Sequence, residues 1–428
     1  MTELSRREAI KRAIGAVAMM SVGGAIARAA ENVKSDGGKK LRIGFIGVGD
    51  RGTGLLKVML NFPGVDIPAL CDIDKKNLKN AQNAVEKALG KAPEGYDKDG
   101  HDYRRLIARD DIDAVVIATP QELHAEMAID SMKAGKSIGS EVPACCTVEE
   151  CHQLVKGVRE HKGRYMMLEN YLYSQPVMMV QNMVQAGLFG DLTYGFGAYI
   201  HEIRNMRFKS DGSLTWRGEN VLHTRGIVYP THAIGPVCRW MGINKDDALA
   251  TVVAMDSKAV GTHAYAVEKF GEGSAPAKVE FENGDTNQAL ILTKQGRLIE
   301  VRYDTSSPRP SGMGQYSLQG TKASYDSAFG ERKIFIEGKS PAHQWEDFDK
   351  YTEQYQHPYW KDRGAEAGKS GHGGGDYFVI SDFLDFVRTG QSPIDVVDAA
   401  TWSVIRPLSE QSIRAGNKPL EVPDFKSA

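Results

Sequence analysis

The chain has 428 residues, of which 41% are hydrophobic and 25% charged, enough for two domains of roughly 100–200 residues with substantial cores. A net charge of -2 at pH 7, with no basic stripe carrying interleaved aromatics, argues against nucleic acid as a partner, because such binding rests on phosphate neutralisation. The five cysteines, Cys71, Cys145, Cys146, Cys151 and Cys238, are odd in number and lack paired Cys-x-x-Cys spacing. Neither a metal site nor an essential disulfide is expected, and Cys145 with Cys146 reads as a pair of small buried hydrophobes.

The chain opens on Ser5-Arg6-Arg7-Glu8, followed by a mostly apolar run from Ala13 to Ala27 and by Ala27-Arg28-Ala29. A charged start, a short apolar middle and a small-residue cleavage site make an export signal, and the paired arginines mark the twin-arginine type. Residues 1–30 are therefore expected to be removed, leaving a periplasmic protein. The rival reading, an N-terminal helix of the mature protein, suits Gly23-Gly24 less well. No later segment approaches the roughly 18 consecutive apolar residues of a bilayer span, so no stable membrane insertion is expected after processing.

Leu41 to Ile46 reads as a short buried strand that runs directly into Gly47-Val48-Gly49-Asp50-Arg51-Gly52 and then a helical pattern with Leu55, Leu56, Val58 and Met59. This is Gly-x-Gly-x-x-Gly in strand–turn–helix context. The first glycine permits the tight turn, the second lets backbone approach a pyrophosphate, and the third allows close helix packing, with helix-start amides facing the phosphates. A second strand, Val65 to Cys71, ends at Asp72, where a carboxylate can accept from a ribose 2′-hydroxyl. Asp72 and Asp74 together would repel a 2′-phosphate, which favours NAD over NADP. The rival is a fold of this type whose site is empty. A helix through Asn80 to Leu89, a strand over Ile112 to Ala118, a helix from Met127 to Ala134 and a strand from Ser137 to Ser140 continue the alternation, so the fold class is α/β with a parallel doubly wound sheet. Residues 41–165 form the NAD-binding Rossmann domain in this reading, and Thr119 to His124 leaves a strand at the carboxyl end, where ligands bind.

Residues 166–428 read as a second α/β domain with an open, mostly antiparallel sheet. Its strand-like stretches are Leu192 to Ile200, Leu249 to Met255, Ala277 to Phe281, Asn287 to Leu292, Leu298 to Tyr303 and Lys333 to Ile336. Pro230 suits the first turn of a helix continuing through Ala233, Val237 and Trp240, which puts Tyr229 at its start and His232 about one turn on, both able to face one cleft. Ser340 to Gly375 reads as a long ordered loop able to cover a site. Asp376 to Thr389 and Val396 to Ala415 read as amphipathic helices that can pack back on the first domain.

Taken together, Gly47 to Gly52, the acid after the second strand, Ala118-Thr119-Pro120 with His124, and Glu141-Val142-Pro143 resemble the Gfo/Idh/MocA oxidoreductases. Many members carry lysine between that Glu and Pro, where it assists hydride transfer at a sugar carbinol; here Val142 stands instead. Glu169-Asn170-Tyr171, Ala198 to Glu202, Thr215-Trp216-Arg217, Tyr229-Pro230-Thr231-His232 continuing to Pro236, and Gly371-His372-Gly373-Gly374-Gly375-Asp376-Tyr377 resemble glycoside hydrolase family 109 over essentially the whole mature chain. That resemblance implies an NAD-dependent glycosidase, with α-N-acetylgalactosaminidase the activity usually attached to it. It implies cofactor contacts at Asp50, Arg51, Asp72, Gln121, Glu122, Leu123, His124, Glu141, Val142, Asn170 and Tyr229, beside Gly47, Gly49 and Gly52 of the turn. Sugar contacts would be Tyr199, Arg217, Tyr229, Pro230, Thr231 and His232. An aromatic expected after the Ser307 to Pro310 turn is replaced by Ser311, for which Tyr316 or Tyr303 could substitute. The solvated sheet face in this family often supports dimers or tetramers, so a homo-oligomer is expected.

Such an enzyme can hydrolyse without two carboxylates: oxidation at the sugar C3 acidifies the C2 proton, a base removes it, the anomeric group leaves, water adds and the hydride returns. His232 is assigned as general base or acid, with Tyr229 as its partner and a potential base beside a cation; Arg217 and Tyr199 are assigned as substrate binders. Each has a structural rival. His201 could merely cap the sheet, His372 could sit by chance in a flexible loop, Trp216 could be a packing residue, and Glu122 and Glu219 read as solvated carboxylates. An exported NAD-dependent sugar oxidoreductase and a non-catalytic sugar-binding protein are the competing functions.

Overall fold

The computed structural model describes residues 40–310 and 313–427; the expected export signal and Ser311 lie outside the described residues. β1 (Leu41–Ile46), β2 (Val65–Asp66), β3 (Ala69–Cys71), β4 (Glu94–Tyr96), β5 (Ala114–Ile117), β6 (Ser137–Ser140) and β7 (Arg164–Met167) form a parallel sheet. Its order is β4-β3-β1-β5-β6-β7, with β2 paired to β1, the Rossmann arrangement in which the central apolar strands are covered on both faces. β5 is buried at every residue. Helix Lys75–Leu89 begins where Asp74 accepts from the amides of Lys76 and Asn77 and ends at Gly90 in the left-handed region (φ 77°), a capped start and a glycine stop.

β8 (Leu192–Ile200), β9 (Leu249–Asp256), β10 (Thr286–Thr293), β11 (Leu298–Asp304), β12 (Gly314–Gly320), β13 (Ala323–Asp326), β14 (Lys333–Ile336), β15 (Glu346–Asp347) and β16 (Leu420–Glu421) form the second sheet, ordered β15-β14-β13-β12-β8-β11-β10-β9-β16. All its pairings are antiparallel except β8 with β11. Alternation along β10 buries Asn287, Ala289, Ile291 and Thr293 and exposes Gln288, Leu290 and Leu292, so one face packs and the other meets solvent. The C-terminal helices return to the first sheet: Gly375–Thr389 lies against Asp50–Met59, and Val396–Ser403 against Val148–Glu160. A Cβ at Gly139 of β6 would stand 2.6 Å from the Phe383 ring, so that ring packs directly on the strand.

Three expectations are corrected. Ala277 to Phe281 is not a strand: Pro276 opens a short helical turn, Pro276–Lys278, because its fixed φ suits a first turn and it cannot donate to a ladder. Ser340 to Gly375 is not a loop but holds β15 and the helices Thr352–Tyr355 and Pro358–Ala367, the latter capped by His357, whose ring accepts from the Tyr359 amide. Val396 to Ala415 is two helices, Val396–Ser403 and Ile405–Arg414, with Pro407 in the first turn of the second, the position where its missing N–H is harmless.

Candidate active site

A cleft of about 760 Å³ opens at the carboxyl ends of β1, β3 and β5. The first half of the chain supplies Gly47, Gly49, Asp50, Arg51 and Asp72 to its wall, then Gln121, Leu123, His124, Glu141, Val142 and Asn170. The chain from β8 onward supplies Tyr199, Arg217, Tyr229 and His232. Gly52, Glu122, Pro230 and Thr231 do not line it. A Cβ at Gly52 would collide with the Gly47 carbonyl, so Gly52 serves helix packing. Glu122 is exposed, and Pro230 and Thr231 are buried behind the wall.

The glycine turn fits a dinucleotide. Gly47 has φ 84° and a Cβ there would meet the Ala118 carbonyl oxygen at 2.7 Å, whereas Gly49 is open, with only the Asn77 amide nitrogen within 4 Å, at 3.8 Å. A phosphate can therefore approach the backbone at Gly49 and the unpaired amides that begin helix Asp50–Met59. Asp72 accepts from the amides of Val48 at 2.7 Å and Asp74 at 2.8 Å. This ties the turn to the end of β3, and the carboxylate's remaining lone pairs stay available to a ribose hydroxyl. Ile73, beside it, is 71% exposed and also lines the cleft, an apolar surface for a flat base.

Several implied cofactor residues are already engaged within the protein. Arg51 reaches Glu141 at 2.6 Å and Asp376 at 2.9 Å; despite burial, these two carboxylates hold its guanidinium firmly charged. Asn170 donates to Asp376 at 2.7 Å. The His124 ring is buried, with its nitrogens 2.8 Å and 2.9 Å from the carbonyls of Pro143 and Thr119, so it pins two loops together. The glycine-rich segment is not a free loop: a Cβ at Gly375 would stand 2.5 Å from the Asn170 carbonyl. His372 (φ 52°) lines the cleft with Nδ1 2.9 Å from Asp376.

On the facing wall, helix Thr231–Trp240 crosses β8 where Gly197 leaves no side chain; a Cβ there would strike the Ala233 carbonyl. This close approach brings His232 beside Tyr199, with ring centroids 5.3 Å apart, while Tyr229 and Tyr171 lie 4.8 Å and 4.2 Å from the same imidazole. His232 Nδ1 is 2.6 Å from Oε1 of Glu169. The Tyr199 hydroxyl meets His201 Nδ1 at 2.9 Å, so His201 belongs to the cleft rather than capping the sheet, and burial and Arg217 lower its pKa. Arg217 lies over the Trp216 ring at 4.3 Å, and Trp216 also lines the cleft. Burial, reinforced by Glu141, pushes the Tyr229 phenol up, which favours its protonated form. Tyr316 donates to the His232 carbonyl at 2.6 Å and is buried, so Met313 rather than Tyr316 lines the cleft. Tyr303 stacks behind Tyr199 at 6.2 Å.

Glu169, Tyr171 and Asp376 stand in the motifs quoted above without an assigned role. The signal for Glu169 was its place just past the carboxyl end of β7, where ligand-facing groups of parallel sheets gather.

Residues 41–169 match the oxidoreductase family with an NAD-binding Rossmann fold, and residues 173–428 match the C-terminal domain of glycosyl hydrolase 109. A glycosyl hydrolase family 109 protein of Stenotrophomonas maltophilia is 40% identical over 409 residues, 91% of this chain and 89% of that protein. The chain belongs to glycosyl hydrolase family 109. A relative named alpha-N-acetylgalactosaminidase from Shewanella oneidensis is 38% identical over 90% of this family 109 chain and 85% of its own length. Among solved structures, levoglucosan dehydrogenase in complex with NADH and L-sorbose superposes with TM-score 0.72 at 20% identity, covering 90% of this chain and all of that one. Myo-inositol 2-dehydrogenase from Lactobacillus plantarum gives 0.65 at 18%, also over 90% of this chain and all of that one. The family 109 chain is thus an NAD-dependent glycosidase or sugar oxidoreductase built on an NAD-binding Rossmann fold and a mixed, mostly antiparallel sheet.

Proposed function

We propose that the protein is an exported glycosidase acting on glycosides, with α-N-acetylgalactosaminides the first class to test, by transient oxidation, elimination, water addition and re-reduction. The observation that carries this reading is a single cleft in which a dinucleotide-binding glycine turn faces a buried histidine held by a carboxylate. When bound, NAD supplies a hydride acceptor and donor at the sugar C3, which makes the neighbouring C2 proton acidic. His232 removes that proton at Nε2. Tyr229, with its raised pKa, holds a proton for the leaving oxygen, and Arg217 presents a fork of donors to the enolate oxygen that develops. Water adding at C1, with return of a proton to C2, completes hydrolysis with no net change in the cofactor. Gln121, Leu123, His124, Glu141 and Asn170 form the wall that would hold the nicotinamide half.

A sugar oxidoreductase is the second reading, favoured by the fold shared with levoglucosan dehydrogenase; Val142, in place of the customary lysine, weighs against it. Purified protein given nitrophenyl glycosides without added NAD separates the two: phenol release without net NADH supports hydrolysis, and stoichiometric NADH refutes it. His232→Ala is expected to lower turnover by about 10²- to 10⁴-fold; an unchanged rate would remove the assignment. Failure of every tested sugar to alter the absorbance of bound NAD would favour a non-catalytic sugar-binding protein. Export predicts a mature N-terminus near residue 31 in periplasmic material. Self-association through the solvated sheet face would place Met255, Leu290, Leu292 and Leu298, all well exposed, between subunits of a homo-oligomer.

A further inference from the structure

We propose that Glu169 is the positioning residue of the reaction: its Oε1 takes the Nδ1 proton of His232 and thereby turns a free Nε2 lone pair into the cleft. This rests on the reading of His232 as the base and adds what makes it one.

Glu169 is completely inaccessible to solvent and His232 is 7% exposed, so the 2.6 Å contact between them has no competing water. An ionised carboxylate only accepts, so the ring nitrogen facing it must carry the hydrogen, and the neutral imidazole is left with its lone pair on Nε2. That nitrogen makes no hydrogen bond among the described residues, and the residue lines the cleft. The ring cannot easily turn away. Tyr171 packs on it at 4.2 Å between centroids and Tyr229 at 4.8 Å, and its own carbonyl is held by Tyr316 at 2.6 Å.

The carboxylate is equally fixed. Oε1 also accepts from the Tyr171 amide at 3.0 Å, a bond that caps the short turn Asn170–Tyr173, and a Cβ added at Gly235 of helix Thr231–Trp240 would lie 3.5 Å from the Glu169 Cγ. Its second oxygen, Oε2, is buried and has no hydrogen-bond partner among the described residues. Buried polar atoms of native proteins are nearly always satisfied, so an idle buried oxygen calls for a reason. An anion with one idle oxygen makes sense beside an imidazole that becomes cationic each time it accepts a proton, as the carboxylate of a hydrolase triad does.

The test uses the enzyme with its bound cofactor and the best glycoside from a substrate screen. Glu169→Gln keeps the shape but removes the charge that steadies the imidazolium, and an NH2 turned toward Nδ1 would impose the other tautomer. A fall in kcat on the order of 10²- to 10⁴-fold is expected, with KM and bound NAD unchanged and with loss of deuterium uptake at the sugar C2 in heavy water. Glu169→Asp should restore part of both. If Glu169→Gln keeps kcat within about threefold of the parent while His232→Ala abolishes it, the positioning role is overturned and the base assignment survives. If His232→Ala is also silent, the underlying reading fails. Because the variants could fold poorly, nitrogen NMR of histidine-labelled parent enzyme gives an independent answer: a His232 signal protonated at Nδ1 and bare at Nε2 supports the proposal, and the opposite tautomer overturns it.

Discussion

Gly197→Ala should disable the enzyme without touching the cofactor. The added Cβ would stand 2.7 Å from the Ala233 carbonyl carbon and closer still to its oxygen. Both are backbone atoms that cannot rotate aside. Restoring an ordinary contact of roughly 3.5 Å to the oxygen requires helix Thr231–Trp240 to retreat from β8 by more than about 1 Å, an overpacking that costs about 1–3 kcal/mol. Ala233 adjoins His232, so the same retreat stretches the 2.6 Å bond to Glu169 and moves the ring from the sugar. Misplacement on the order of 1 Å is enough to slow a positioned reaction about 10²-fold. The expected variant has a lowered urea midpoint, kcat reduced by about two orders of magnitude, and normal bound NAD, because the glycine turn belongs to the other sheet. Parental kcat together with a parental midpoint would refute the argument that this crossing sets the position of His232.

Asp72→Asn should loosen the ties to the Val48 and Asp74 amides and weaken dinucleotide binding by about 10-fold or more, since hydrogen bonds to a charged group contribute about 1.5–3 kcal/mol; calorimetry on stripped protein reads this. Arg51→Met leaves Glu141 and Asp376, each at most 6% exposed at the side chain, facing one another, at a cost of about 3 kcal/mol at pH 7. Although burial opposes ionisation, His372 and Arg51 hold the Asp376 carboxyl well below its usual range. Its stabilisation is therefore present above the ordinary carboxyl pKa and lost as pH falls through the lower folded value, so the defect of Arg51→Met in urea melts should shrink in acid. Asp382 runs the other way. Burial pushes it up to about 6, against the hydrogen bonds from Tyr359 and Tyr173. The folded state favours the neutral acid, so its contribution is complete below about pH 4 and lost as pH rises through 6. Asp382→Asn should thus stabilise the protein by about 2 kcal/mol at pH 7.5 and by little at pH 4, read from melting at both.

The glycine turn could be read from sequence because its chemistry is local: six consecutive residues, a preceding strand and a following acid carry the whole geometry. The helix carrying His232 announced itself by Pro230. What holds these residues is not local. Arg51 and Asp376 lie 325 positions apart and Glu169 and His232 lie 63 apart, and no spacing rule joins such pairs. β12, Gly314–Gly320, carries Gln315, Ser317 and Gln319 on a strand bounded by glycines, so its pattern is too polar to stand out, although its neighbours β8 and β13 complete its ladder. The helix Pro358–Ala367 was hidden by weak amphipathicity, yet His357-Pro358 is a cap followed by a proline at the first helical position, a start signal that composition masked.

Both margins of the larger sheet are strands of two residues, β15 and β16. A rim that short offers almost no unpaired backbone on which another chain could zip, so the molecule is protected against runaway lateral growth into ribbons. Growth by strand addition is thereby disfavoured, and the solvated flat side stays as the proposed contact between subunits.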